Sequence, residues 1–155
     1  MWDSLREQAT LEREELRRLL QAYRALLEKC AGSPPTDIEL SALAAMLHPL
    51  YNGIENIFKR IREEFDEPLP RSEFWHRDLL DCMGKSAKGR PAVISASVLE
   101  RLEAYLDFRH FFRHSYVIRL RWDRMKDLAL GCDETLRLLE DELDQFFVAG
   151  TGSPQ

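Results

Sequence analysis

Apolar residues recur every three or four positions along almost the whole chain, and this spacing constrains the fold more than any other feature. From about Asp3 to Cys30, leucine and tyrosine residues follow this spacing between glutamate and arginine residues. Such a period is typical of an α-helix that buries one face. No stretch shows the alternation of apolar and polar residues that a half-buried strand requires. The pattern therefore predicts an all-α fold.

Helix-breaking and helix-capping residues divide the pattern into separate helices. The sequence Ala31–Pro35 ends the first helix, because glycine favours the position after a helix and proline cannot continue one. Thr36 and Glu39 have the spacing of a capping box, which opens a second helix that runs to about Phe65. Pro49 lies inside that helix and predicts a kink or a break near it.

Three more helices are predicted in the rest of the chain. They are a short helix over Glu73–Cys82, a helix capped by Ser95 or Ser97 that ends near Val117, and a final helix over Asp123–Phe147. The expected architecture is an up-and-down four-helix bundle with one short accessory helix. At 155 residues the chain is long enough for one core. We expect residues 1–148 to form a single domain and residues 149–155 a disordered tail.

The charge of the chain is negative overall but positive in one segment. The net charge of −5 argues against a protein that coats nucleic acid. Between Arg109 and Lys126, however, there are six Lys or Arg, two His and one acidic residue. Subtracting these from 22 bases and 27 acids leaves 16 bases and 26 acids elsewhere. This distribution predicts a small cationic groove on an acidic body.

The cysteines and the apolar segments indicate a cytoplasmic protein. The three cysteines are widely spaced and form no C-x-x-C pair, which favours reduced thiols over a disulfide scaffold or a zinc site. The first thirty residues are rich in Glu and Arg, unlike a signal peptide. The longest stretch without a charged residue, 40–54, is too short and too interrupted to span a bilayer.

The strongest functional signal is the R-x4-H-x-Y string formed by Arg109, His114 and Tyr116. Arginine can hold a phosphate through a planar fork of donors, and histidine can exchange a proton near neutral pH. About 0.4 chance copies of R-x4-H are expected, and a second copy does occur from Arg71 to His76. The added tyrosine lowers the expectation to about 0.01. Such an arginine and histidine suffice in principle to cleave RNA without a metal or another cofactor.

A helical projection of this segment predicts two opposite faces. The polar groups share an outer face, and the aromatic residues lie on the opposite, core-facing side. The predicted outer face comprises Arg109, His110, Arg113, His114 and Tyr116, and the predicted core side includes Phe108, Phe111 and Phe112. A charged face that is merely solvated is an equally open interpretation.

The segment Phe108–Tyr116 resembles the signature of the HEPN superfamily, and in particular the HepT-like ribonuclease toxins of prokaryotic toxin–antitoxin pairs. That signature is an Arg, usually followed by a polar residue, with a His four to six positions later; the HepT branch ends in H-x-Y. Three further stretches are similar to the same branch: Leu50–Ile61, Trp75–Leu80 and Arg90–Ser95. The resemblance covers about Tyr51 to Lys126, and the opening helix is similar in character only.

The resemblance implies a homodimer in which two motif copies face one cleft. It implies that Arg109 and His114 carry metal-independent endoribonuclease activity on RNA such as tRNA or mRNA. The implied partner is a nucleotidyltransferase antitoxin of the MNT type, which would silence the toxin by AMPylation of Tyr116. A phosphoester at that position would repel an incoming RNA backbone.

The mechanism that follows is transesterification at a 2′-hydroxyl, with His110 and Arg113 as candidates for binding the flanking RNA backbone. Two alternatives remain open: a non-catalytic HEPN regulator that binds nucleotides or RNA, and a helical interaction module. We expect mainly structural roles for His48 and His76. For Tyr51 and Glu55 we expect packing and solvation rather than support of the cleft. Trp2, Trp75 and Trp122 are expected to be core or interface aromatics.

Two rival sites fail on spacing. Gly84-Lys85-Ser86 resembles the end of a phosphate-binding loop, but Leu79 stands where that loop needs glycine, and no strand precedes it. His110 and His114 lie one helical turn apart, as metal ligands can, but no carboxylate or third histidine stands nearby in the sequence. We therefore predict no metal site.

Overall fold

Six α-helices make up most of the part of the chain that the computed structural model describes. That part comprises residues 2–65, 67–68, 71–114 and 120–151, with positions 113, 114, 150 and 151 described by backbone alone. The helices are α1 (Trp2–Gly32), α2 (Asp37–Glu64), α3 (Trp75–Met83), α4 (Ala96–His114), α5 (Trp122–Leu130) and α6 (Cys132–Thr151). The predicted all-α bundle with α3 as its accessory helix is confirmed.

The first two helices form a hairpin whose turn is set by the predicted capping box. The Glu39 N–H donates to Thr36 Oγ1 at 3.2 Å, and the Thr36 N–H donates to Glu39 Oε1 at 2.9 Å. Helix α2 continues through Pro49, so a break there is not observed. Leu47 and Leu50, on either side of the proline, are both buried in the same core, which holds the helix together across the missing donor.

The prediction of a single final helix over Asp123–Phe147 is wrong, because two helices, α5 and α6, occupy this part of the chain. Helices α5 and α6 meet at Gly131, whose N–H donates to the Asp127 carbonyl at 2.9 Å. A Cβ at this position would lie 2.7 Å from the same carbonyl oxygen, so only glycine fits the junction without a shift. Helix α6 includes residues 149–151, which were predicted to belong to the tail; residues 152–155 lie outside the described residues.

Helix α4 begins at the predicted serine cap. The Val98 N–H donates to Ser95 Oγ at 3.2 Å, which selects Ser95 over Ser97 as the cap. Helix α4 is described as far as His114, and the predicted end near Val117 lies outside the described residues.

The core lies between α1, α2, α4 and α6, and α3 and α5 each add buried side chains to it. It is built from aliphatic and aromatic side chains that are almost fully buried, among them Leu43, Ile57, Phe58, Leu102, Leu139 and Leu143. One end is closed by Trp2, whose ring centre lies 5.3 Å from that of Phe65 and 5.3 Å from that of Phe146. Trp2, Trp75 and Trp122 are all partly buried against the core, as expected for packing aromatics.

Gly53 allows α1 and α2 to approach each other closely. A Cβ at position 53 would lie 2.5 Å from Leu16 Cδ2. We expect Gly53→Ala to lower the free energy of unfolding by about 1–3 kcal/mol, because the leucine must leave its packed position. Urea denaturation measures this loss. Gly32→Ala is the matched control, since nothing lies within 4 Å of its Cβ position; similar losses for both variants would contradict the prediction.

A buried arginine fastens the connection between α3 and α4. The Arg90 side chain is 0% exposed and donates from Nε and Nη2 to the two carboxylate oxygens of Glu67, at 2.8 and 3.1 Å. It also donates to the backbone carbonyls of Lys85 and Pro91, at 3.0 and 3.1 Å. Each charged atom thus has a partner, as a buried ion requires.

The cysteines are free thiols, as predicted. Cys30 and Cys132 are buried, and Cys82 is partly exposed. Burial raises the pKa of the Cys132 thiol to about 11, and burial also raises the pKa of Cys30. In the described ranges, no helix has both the length and the apolar character needed to cross a bilayer.

Candidate functional site

Helix α4 carries Arg109 on its buried face. Leu102, Tyr105, Leu106 and Arg109 are all buried and follow one another at helical spacing, whereas Phe111 is 47% exposed. The prediction that Arg109 lies on an outer face opposite Phe111 is therefore wrong. The helical projection placed the phenylalanines on the core side. The buried stripe of α4 instead runs through Leu102 and Leu106 to Arg109.

Arg109 is held by three side chains of α2. Its Nη1 donates to Asn52 Oδ1 at 2.7 Å and to Glu55 Oε1 at 3.2 Å. Its Cζ lies 5.2 Å from the centre of the Tyr51 ring, within the range of a cation–π interaction. Both charged side chains are nearly inaccessible, at 4% exposure for Arg109 and 5% for Glu55. The orientation of the guanidinium is thus set by α2 before any ligand arrives.

His76, on α3, contacts both Glu55 and Arg109. Its Nδ1 lies 2.7 Å from Glu55 Oε2 and 2.7 Å from Arg109 Nη2. Trp75 covers one face of the imidazole, with the two ring centres 3.6 Å apart. Asn52, Glu55, His76 and Arg109 therefore form one group, which we call the buried polar cluster.

The buried polar cluster corrects one expectation, the solvation role of Glu55, and adds to another, the structural role of His76 beside Trp75. Glu55 does not serve solvation, because its carboxylate is buried in contact with a guanidinium and an imidazole. His76 does more than pack, since it completes the same cluster. A signal was present in the sequence: Glu55 is the one charged residue between positions 40 and 58, in a helix whose apolar residues form the core, where an unpaired carboxylate would be costly.

The electrostatics of the cluster are those of a compensated buried charge. The Glu55 carboxylate offsets the charge of Arg109, which does not lose its proton in proteins. Burial raises the pKa of the nearby Tyr51 hydroxyl, and the Glu55 carboxylate raises it further, so this phenol stays protonated.

A groove opens next to the buried polar cluster. It has a volume of about 560 Å³ and is bordered by Arg109 and His76 from the cluster, together with Glu73, Phe74, Arg77, Leu106, Asp107 and His110. Arg77 forms ion pairs with Asp107 and, at 3.8 Å, with Glu103. The described walls therefore carry both signs of charge. The small cationic groove predicted for the segment from Arg109 to Lys126 stays a prediction, because the side chains of residues 113–119 lie outside the described residues.

Of the five predicted site residues, the structure describes the side chains of two, Arg109 and His110. Arg109 and His110 border the same groove, with Arg109 buried and His110 exposed. Arg113 and His114 are described by backbone alone at the end of α4, and Tyr116 lies outside the described residues. Across the described ranges, no group of three His, Cys, Asp or Glu side chains is arranged to hold a metal ion.

A comparison with protein families matches the chain to the model of the HepT-like protein over residues 42–149. The chain belongs to the HepT-like family of the HEPN superfamily. The match contains the whole buried polar cluster and the complete string from Arg109 to Tyr116, while α1 lies outside it. No curated protein and no solved structure matches this HepT-like chain.

Proposed function

We propose that this HepT-like protein is a metal-independent endoribonuclease of a toxin–antitoxin pair. The observation that carries the proposal is Arg109, which is oriented by a buried polar cluster at the wall of an open groove. A catalytic arginine needs such fixed orientation, because a donor held in place costs no reorganisation when charge develops on a phosphate. Family membership supplies the link to HEPN-type toxins.

Contacts with the described residues use three of the five N–H donors of the Arg109 guanidinium. Of its five N–H groups, the contacts with described residues engage Nη1 twice and Nη2 once. The remaining donors suit the non-bridging oxygens of a phosphate that enters the groove, and Arg109 would stabilise the charge that grows there during attack.

In this proposal His114 is the general base of the reaction. It would remove the proton of a 2′-hydroxyl, whose oxygen then attacks the adjacent phosphorus to give a 2′,3′-cyclic phosphate. His110, which borders the groove, and Arg113 would bind the flanking backbone. Since the nucleophile is the 2′-hydroxyl, DNA is not a substrate.

The regulatory part of the proposal rests on the family. The partner would be an MNT-type nucleotidyltransferase antitoxin, and the active form a homodimer. AMPylation of Tyr116, two residues after the proposed base in the sequence, would add negative charge and bulk to the motif and repel RNA.

We expect His114→Ala to reduce cleavage of RNA by about 10²–10⁴-fold, the contribution of a general acid or base. New 5′-hydroxyl ends on a tRNA mixture, counted by end-labelling, give the measure. Wild-type protein in excess EDTA should cleave at its full rate, and the variant should keep the wild-type circular dichroism spectrum. Wild-type rates in His114→Ala would refute the assignment of the base.

One observation argues for a second function in which Arg109 takes no part in catalysis, that of a HEPN regulator that binds nucleotides or RNA. Arg109 is 3% exposed and its charge is already offset by Glu55, as a purely structural ion pair would be. In that case wild-type protein would bind tRNA without producing any new 5′-hydroxyl end.

A further inference from the structure

The imidazole of His76 is enclosed on two sides and open on a third. Glu55 and Arg109 occupy its Nδ1 edge, and Trp75 covers a ring face. Trp75 is held in turn by Lys59, whose Nζ lies 4.7 Å from the centre of its ring. The His76 side chain is nevertheless 27% exposed and borders the groove. With Nδ1 and one ring face occupied, the edge that carries Nε2 and the second ring face are the parts of the imidazole that remain for the groove.

We propose that His76 is the general acid of the ribonuclease reaction, giving a proton from Nε2 to the leaving 5′-oxygen. This inference rests on the proposed nuclease function and extends it. A carboxylate hydrogen-bonded to one imidazole nitrogen orients the ring and stabilises its charged form, while the other nitrogen exchanges a proton with the substrate. Glu55 stands in that relation to His76, and Arg109 in turn balances Glu55.

The double contact of Nδ1 couples the acid to the phosphate-binding arginine. One nitrogen cannot both donate to Glu55 and accept from Arg109. When the ring carries both protons, Nδ1–H donates to the Glu55 carboxylate, and Arg109 Nη2 loses its acceptor on the imidazole. That N–H is then available to a phosphate. A proton on Nδ1 therefore frees this donor of Arg109 for a phosphate, and a second proton on Nε2 supplies the acid.

The step balances in bonds and protons. The 2′-oxygen forms a bond to phosphorus as its proton passes to the proposed base, and the bond between phosphorus and the 5′-oxygen breaks. The leaving oxygen takes the proton of His76 Nε2, so that the ring ends as a neutral imidazole with Nδ1–H still on Glu55. Two motif copies facing each other across a dimer are then not needed to supply this proton.

A substrate with a sulfur leaving atom tests the acid directly. The cleavage site of wild-type protein is first mapped on a tRNA mixture. Oligodeoxynucleotides of the flanking sequence are then made with a single ribonucleotide at that site, followed by either a 5′-oxygen or a 5′-sulfur. A thiol has a pKa of about 8.5, so a thiolate can leave without taking a proton. An alkoxide is far more basic and must be protonated as it leaves. Only the oxygen substrate therefore requires the acid.

Two variants separate proton donation from positioning. His76→Asn keeps an amide at about the place of Nδ1, facing Glu55 and Arg109, but has no proton to give. We expect it to cleave the oxygen substrate about 10²–10⁴-fold more slowly than wild type. We expect it to cleave the sulfur substrate within about tenfold of the wild-type rate. Arg109→Lys, which damages the phosphate site, should be slow on both substrates.

Each outcome decides a claim. Rescue of His76→Asn by sulfur, with no rescue of Arg109→Lys, supports the general acid. Equal losses of His76→Asn on both substrates would show that His76 only positions Arg109 and would overturn the proposal, as would a wild-type rate on the oxygen substrate. In both cases the nuclease function would stand. Absence of any cleavage by wild-type protein would overturn the nuclease function and the acid with it.

Discussion

Replacing Glu55 with alanine is expected to lower the free energy of unfolding by about 3–5 kcal/mol, the loss seen when one partner of a buried ion pair is removed. Arg109, at 4% exposure, would keep its charge without a compensating carboxylate. RNA cleavage should be lost as well, because the guanidinium would turn toward water and His76 would lose its carboxylate partner. Thermal unfolding followed by circular dichroism gives the first effect, and the tRNA cleavage assay the second.

A double variant separates these two effects. In Glu55→Leu with Arg109→Met, two apolar side chains of similar volume replace the pair, and such exchanges are often neutral or stabilising. We expect the double variant to recover the stability that Glu55→Ala loses while it stays inactive on RNA. If Glu55→Ala alone were as stable as wild type, the pair would not be buried as described, and the cluster would lose its role in holding Arg109.

Replacing Glu67 with alanine is expected to cost a similar amount, about 3–5 kcal/mol, without removing activity. Glu67 accepts hydrogen bonds from Nε and Nη2 of the fully buried Arg90, and it lies outside the groove. At a temperature where the variant is still folded, its cleavage rate per folded molecule should match that of wild type. Urea unfolding combined with the cleavage assay measures both quantities.

Arg90→Lys provides the matched control for this second ion pair. Lysine keeps the charge but cannot donate to two carboxylate oxygens and several carbonyls at once, so we expect an intermediate loss of stability. A Glu67→Ala variant with the wild-type unfolding midpoint would contradict the structural role. A folded Glu67→Ala protein that fails to cleave RNA would show that the connection at Arg90 also positions α3.

Local chemistry made several parts of this fold predictable. The capping box at Thr36 and the cap at Ser95 depend on side chains within three residues of the backbone groups they bind, so their signal is contained in short sequence windows. The division of the last helix at Gly131 was not predicted, because a lone glycine inside a helical pattern is tolerated and does not by itself end a helix. Here the backbone leaves the helical conformation at Gly131, with φ −94° and ψ 0°, and a Cβ would crowd the Asp127 carbonyl oxygen.

The helical period, the caps and the family signature, including the choice of Arg109 as the central residue, were all determined by the sequence alone. The surroundings of that arginine were decided by tertiary structure, which brings Glu55 from 54 residues away and His76 from 33 residues away. A helical period states which residues of one helix share a face, but it does not state which face meets a neighbouring helix or what that helix presents. For Arg109 this difference separates a solvated charge from a buried, oriented one, because only packing against α2 and α3 supplies the partners that make its burial affordable.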